Sequence, residues 1–96
     1  MREALIKTIK GSMRMTTTPQ VITDDINDCI EACKMDLKLA GVKKTDESDA
    51  LIIRAITLFV KADFNYNNLA DKYRQSYDLL KMSLALAGDY NTESEM

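Results

Sequence analysis

The run ALIIRAITLFVKA, residues 50–62, carries more apolar side chains than one face of a helix can use. Leu51, Ala55, Leu58 and Ala62 form one line at helical spacing, Ile52, Ile56 and Phe59 a second, and Ile53 and Val60 a third. A helix that is apolar around most of its circumference has to be enclosed by other elements. The run therefore predicts the central helix of a small all-α bundle. Its polar exceptions, Arg54, Thr57 and Lys61, are spaced three and four apart, so they share one narrow strip, the only part left to face water or a partner.

Three more helices fit around it, about four in all, with no convincing strand. The first spans residues 2–12, with Ala4, Leu5 and Ile9 on one side, and ends near Gly11. MTTTPQ follows as a connector, because Pro19 pushes the residue before it toward extended geometry and a short extended edge fits there. The second helix is expected to begin at TDDI, with Thr23 as N-cap and Asp24 and Asp25 complementing the helix dipole. It closes at Ala40 with Gly41 as a left-handed cap. Ile26, Ile30, Cys33 and Leu37 are its core stripe, while Ala32, Met35 and Leu39 lie on another side.

Ser48 or Asp46 is expected to cap the third helix, which runs to about Asp63. Asn67 or Asn68 is expected to cap the fourth, which runs to Ala87 and turns Leu69, Tyr73, Tyr77, Leu80, Leu84 and Ala87 to the core. Leu79, Met82 and Leu86 lie well around that helix from the core stripe, which is an excess that one small core does not need. Gly88 is expected to stop the helix in the left-handed conformation. Residues 1–91 then form one domain and residues 92–96 a flexible polar tail.

Nothing in the chain is arranged for chemistry. Histidine is absent and glycine occurs three times, so neither a phosphate loop nor most metal sites can be built. Asp24, Asp25 and Asp28 cluster, but at a helix start, where dipole and capping account for them. Cys29 and Cys33, four apart on one helix face, read as small core residues rather than a redox pair. No catalytic residue, cofactor or metal is expected. No window approaches 18 consecutive apolar residues, and Lys7 and Lys10 interrupt any secretory core, so the expectation is a cytosolic chain with no membrane contact.

A formal net charge of −2 leaves the molecule without the basic field of a duplex-binding module. Nucleic-acid contact, if made, is local: Arg2, Lys7, Lys10 and Arg14 against Glu3 in the first fourteen residues, and the strip of Arg54 and Lys61. NNLADKYRQSYDLL has the rhythm of a helix-turn-helix, but its turn lacks glycine and Tyr73 and Tyr77 sit on the apolar stripe.

Three stretches in order, ITDDINDCIEACKMDLKLAGV, DALIIRAITLFVKADFNY and KYRQSYDLLKMSLALAGDYN, carry a resemblance that extends from Ile6 to Asn91. They resemble the small head-tail connector, or DNA-packaging, proteins of tailed phages and prophages of Gram-positive bacteria. Asn65 stands where that family has glycine and Phe59 where it favours tyrosine, and asparagine tolerates the left-handed turn.

The resemblance implies a helical adaptor without catalytic activity, acting in the host bacterial cytoplasm during assembly and then in the virion at the head-tail junction. It implies a ring of about twelve copies under the portal protein, extending the DNA channel and seating the next head-tail joining protein. Each ring subunit needs two apolar surfaces beyond its core, for which Leu79, Met82 and Leu86, and Ala32, Met35 and Leu39, are the candidates. Arg54, Lys61, Arg2, Lys7, Lys10 and Arg14 are the candidates for non-specific contact with packaged DNA. Residues 89–96 are expected to be mobile alone and ordered on the portal with Tyr90 as anchor; the alternative has Tyr90 folding back on the helix end. The competing function is a small helical binding module or nucleic-acid-binding regulator.

Overall fold

The structure, a computed structural model, describes residues 2–15 and 19–91. Its elements are α1 (Arg2–Ser12), α2 (Gln20–Leu39), α3 (Ala50–Asp63), a 3₁₀ turn (Tyr66–Asn68), α4 (Ala70–Leu86) and a last helical turn, α5 (Gly88–Asn91). Among the described residues there is no strand. The extended edge expected in MTTTPQ falls on residues 16–18, and the flexible tail on residues 92–96, both outside the described residues.

Helix α3 is the centre, packed by α1, α2 and α4. Ile52, Ala55, Ile56, Leu58, Val60 and Ala62 are buried in it. The α2 stripe of Ile26, Ile30, Cys33 and Leu37 closes on it, and Leu5, Ile6, Ile9 and Met13 add the N-terminal wall. From α4 only Tyr77 and Leu84 are fully enclosed, while Tyr73 and Leu80 pack at the margin and Leu69 is 40% exposed. The exposed strip of α3 is wider than expected, because Leu51 joins it at 44% exposure: the chain preceding α3 does not cover its first turn.

Helix ends depart from the local signals in four places. Helix α2 starts at Gln20, three residues before the expected Thr23 cap, because Pro19 (φ −59°) supplies a preset φ and needs no hydrogen bond for a missing N–H. Thr23 instead accepts a hydrogen bond from Lys10 Nζ at 2.7 Å. Helix α3 is capped by Asp49, whose carboxylate accepts from the Leu51 and Ile52 amides. Asp46 is engaged with Ser48 in a tight turn of its own and is not the cap.

Asn67 and Asn68 do not cap α4. Both have left-handed backbone, with φ 55° and 60°, as does Asn65 at 51°, so they shape the reversal. The Asn65 side chain accepts from the Ala70 amide at 3.2 Å instead. At the far end, Ala87 is extended (φ −80°, ψ 125°) and Gly88 opens a new helical turn, so the expected left-handed stop at Gly88 is not made. Among the described glycines the left-handed one is Gly41, φ 105°, closing α2 as expected.

Candidate functional site

The two excess stripes stand out in solvent. On α4, Leu79, Met82 and Leu86 are 66%, 59% and 83% exposed; on α2, Met35 and Leu39 are 60% and 81% exposed, with Ala32 exposed beside them. Large apolar side chains left this open on two helices, at spacings of three and four, form continuous apolar lines rather than scattered singletons. Core packing cannot account for them, since the opposite faces of the same helices already fill the interior.

A polar clamp fixes α4 against α2. The buried Tyr77 hydroxyl donates to Asp36 Oδ2 at 2.6 Å, and Lys81 Nζ reaches the same oxygen at 2.9 Å. Burial works against ionisation of Asp36, but the hydrogen bonds from Tyr77 and Lys81 outweigh it and hold the carboxyl below its ordinary range. Burial, then the Asp36 bond, raises the Tyr77 hydroxyl far above a free phenol. Phe59 meets the Tyr77 ring edge-on, with centroids 5.3 Å apart. The exposed stripes thus sit on two helices held in a set relation.

The basic candidates do not gather into one surface. Arg2 donates to Glu47 at 2.8 and 2.6 Å, to Asn27 at 3.1 Å and to Glu31, and Lys34 reaches the same Glu47 at 2.8 Å. That cluster ties α1 and α2 to the loop before α3, and Arg2 holds Glu47 down at about 2. Its guanidinium is therefore committed within the chain. Lys10 is bonded to Thr23, and Lys61 lies over the rings of Tyr66 and Tyr73 at 5.6 and 5.4 Å. Lys7, Arg14 and Arg54 are exposed. Lys7 and Lys10 line one side of a shallow cleft that also holds Glu3 and Gln20, so its charge is mixed.

Tyr90 is engaged within the chain. Its carbonyl accepts from the Lys43 and Lys44 amides at 2.6 and 3.1 Å, and its hydroxyl donates to the Asp49 carboxylate at 2.9 Å. Tyr90, placed by expectation in a segment mobile from residue 89, is thus bonded to the loop between α2 and α3 and packs on the core, folding back as the alternative had it. Neither this latch nor the Arg2–Glu47 cluster was visible in the sequence. Both join residues more than forty positions apart, and nothing local signals such a pair; Glu47 and Asp49 simply had no role assigned from the sequence.

Among the described residues, no group of His, Cys, Asp or Glu is placed to hold a metal ion, and no helix is long and apolar enough to cross a membrane. Cys29 and Cys33 are both free and buried, and burial pushes each thiol up to about 12.

No curated protein and no solved structure matches the chain. The family of phage connector proteins matches it over residues 5–91, from the first core residue of α1 to the last residue of α5. That span takes in the helices from the fourth residue of α1 onward, both exposed stripes and the Tyr77–Asp36 clamp, and on it the chain belongs to the phage connector protein family.

Proposed function

We propose that this chain is a non-catalytic structural subunit of the head-tail junction, assembling head to tail as a ring of about twelve copies beneath the portal. The ring extends the DNA channel and presents a platform to the next head-tail joining protein. The observation that carries the reading is the pair of open apolar stripes, one on α2 and one on α4. A subunit in a head-to-tail ring needs two different surfaces, one for each neighbour, and a compact monomer has no use for either. Assembly in the host cytoplasm and incorporation into the virion follow from the same role.

Contact with the packaged DNA is to phosphates and without sequence preference, made by the exposed Lys7, Arg14 and Arg54 once many copies display them together. An overall charge of −2 weighs against a monomeric nucleic-acid-binding regulator. The test is the mass of the purified protein across a concentration series, with negative-stain images of large species, alone and with portal-bearing heads. Closed rings, or incorporation at the portal vertex, are expected. A chain that stays monomeric throughout and does not join heads overturns the proposal.

A further inference from the structure

The two stripes have the same internal pattern. Along α2 the outward line runs Asp25, Asp28, Ala32, Met35, Leu39, at spacings of three, four, three and four; along α4 it runs Lys72, Gln75, Leu79, Met82, Leu86, at the same spacings. These are the alternating seam positions of a two-helix coil, and both lines begin in the same phase. Two heptads are short enough that the drift of a straight helix from this repeat stays small. Each line is polar at its N-terminal end and apolar at its C-terminal end. Asp25, Asp28, Lys72 and Gln75 are exposed and make no ion pair or side-chain hydrogen bond among the described residues.

Charge decides how such lines can meet. Parallel pairing of α2 with another α2 sets Asp25 and Asp28 against their own copies, and parallel pairing of α4 with α4 sets Lys72 against Lys72. Antiparallel pairing of α2 with α4 leaves Asp25 opposite Leu86 and Lys72 opposite Leu39. Parallel pairing of α2 with α4 matches every layer: Asp25 with Lys72, the Asp28 carboxylate with the Gln75 amide, small Ala32 with Leu79, Met35 with Met82, Leu39 with Leu86. Within one chain the two lines are exposed, so they do not meet each other there.

From this complementarity we infer that the occupant of the α2 stripe is the α4 stripe of a second copy of this chain, docked parallel and in this register. The inference rests on the head-to-tail assembly proposed above and specifies its contact. The apolar layers supply adhesion, and the Asp25–Lys72 layer at the end fixes polarity and register more than affinity. Because the contact joins different faces, each copy that uses one stripe keeps its other stripe free for a further neighbour.

Mixed cross-linking tests it. Met35→Cys and Met82→Cys proteins, each alone and then mixed, are treated with a thiol oxidant, with the wild type, whose two thiols are buried, as control. Expected is a cross-linked dimer from the mixture and none from either variant alone. Self-linking of Met82→Cys with no mixed product overturns the inference in favour of a symmetric contact. In parallel, Asp25→Lys and Lys72→Asp should each raise the concentration for half-assembly at least tenfold, and the double variant D25K/K72D should restore it. Normal rings without mixed cross-links or charge rescue refute this register while leaving the ring reading intact. A protein that never assembles, alone or on heads, removes both.

Discussion

The Tyr77 hydroxyl lies 2.6 Å from Asp36 Oδ2 and donates to it across the α2–α4 boundary, from a ring that is itself fully enclosed. Tyr77→Phe keeps the ring and removes the bond, leaving Lys81 as the remaining partner of that carboxylate. The expected cost is about 1 kcal/mol, or a fall in Tm of roughly 4–8 °C for a domain of this size. Helical content by circular dichroism should not change. A Tm within a degree of wild type would show that the clamp contributes nothing.

Glu47 contributes, beside Asp36, to the acid limb of stability. Its folded pKa, held at about 2 chiefly by the hydrogen bond from Arg2, lies below its ordinary value of 4.5. A depressed carboxyl contributes stability that is complete above the unfolded pKa and lost as pH falls through the folded one. Stability should therefore decline between pH 4.5 and about 2. Glu47→Gln should be less stable at neutral pH and flatter across that window, read by urea denaturation at several pH values. An unchanged slope in the variant would place the acid sensitivity elsewhere.

Leu86→Glu or Leu79→Glu should leave the isolated fold intact, because both side chains already face water. Large assemblies should disappear. Burying one leucine is worth roughly 2 kcal/mol at each contact, and a ring repeats that loss at every subunit boundary. Sedimentation would separate the outcomes, and a variant that unfolds as a monomer would return the stripe to the core.

What the sequence revealed and what it hid divide by range. The central position of α3 and the outward lines on α2 and α4 were legible because periodicity is written into neighbouring residues. The start of α2 was misread because Thr23 with Asp24 and Asp25 is a strong local start signal, and Pro19, acting through φ alone, prevailed. Asp49 was passed over for Asp46 and Ser48 because all three are competent caps and only the packing of α3 selects among them. Arg2 read as a free cation since Glu31 and Glu47, its main partners, are remote in sequence and close only once α1, α2 and the 43–49 loop have assembled.

Asn65 does two jobs, one with its left-handed backbone and one with its side chain on the Ala70 amide. Asn65→Gly keeps the first and loses the second; Asn65→Ala loses both. The expected order of stability is Asn, then Gly, then Ala, with alanine costing about 1–2 kcal/mol. Thermal melts of the three proteins check it, and an alanine variant as stable as glycine would mean the turn relaxes to another geometry.

Tyr90→Phe should cost about 1 kcal/mol through the bond to Asp49, and Tyr90→Ala more, since the ring also packs on the core. Removal of residues 89–96 is accordingly expected to lower the melting temperature, because the Lys43 and Lys44 amides lose their acceptor. A truncated chain that melts with wild type would show that the latch holds no load.

The paired buried thiols have a practical consequence. Only thiolate reacts with alkylating reagents, and groups held at about 12 in the folded chain are almost wholly protonated at neutral pH. Cys33, which has no exposed surface, therefore labels only when α2 parts from its neighbours, which makes its modification rate a clock for opening of the core. With Cys29 the only other cysteine in the chain, that clock needs no engineered probe. It can be read on the free subunit and again after assembly, so that the slowing of the reaction measures how much each neighbour steadies the helix it covers.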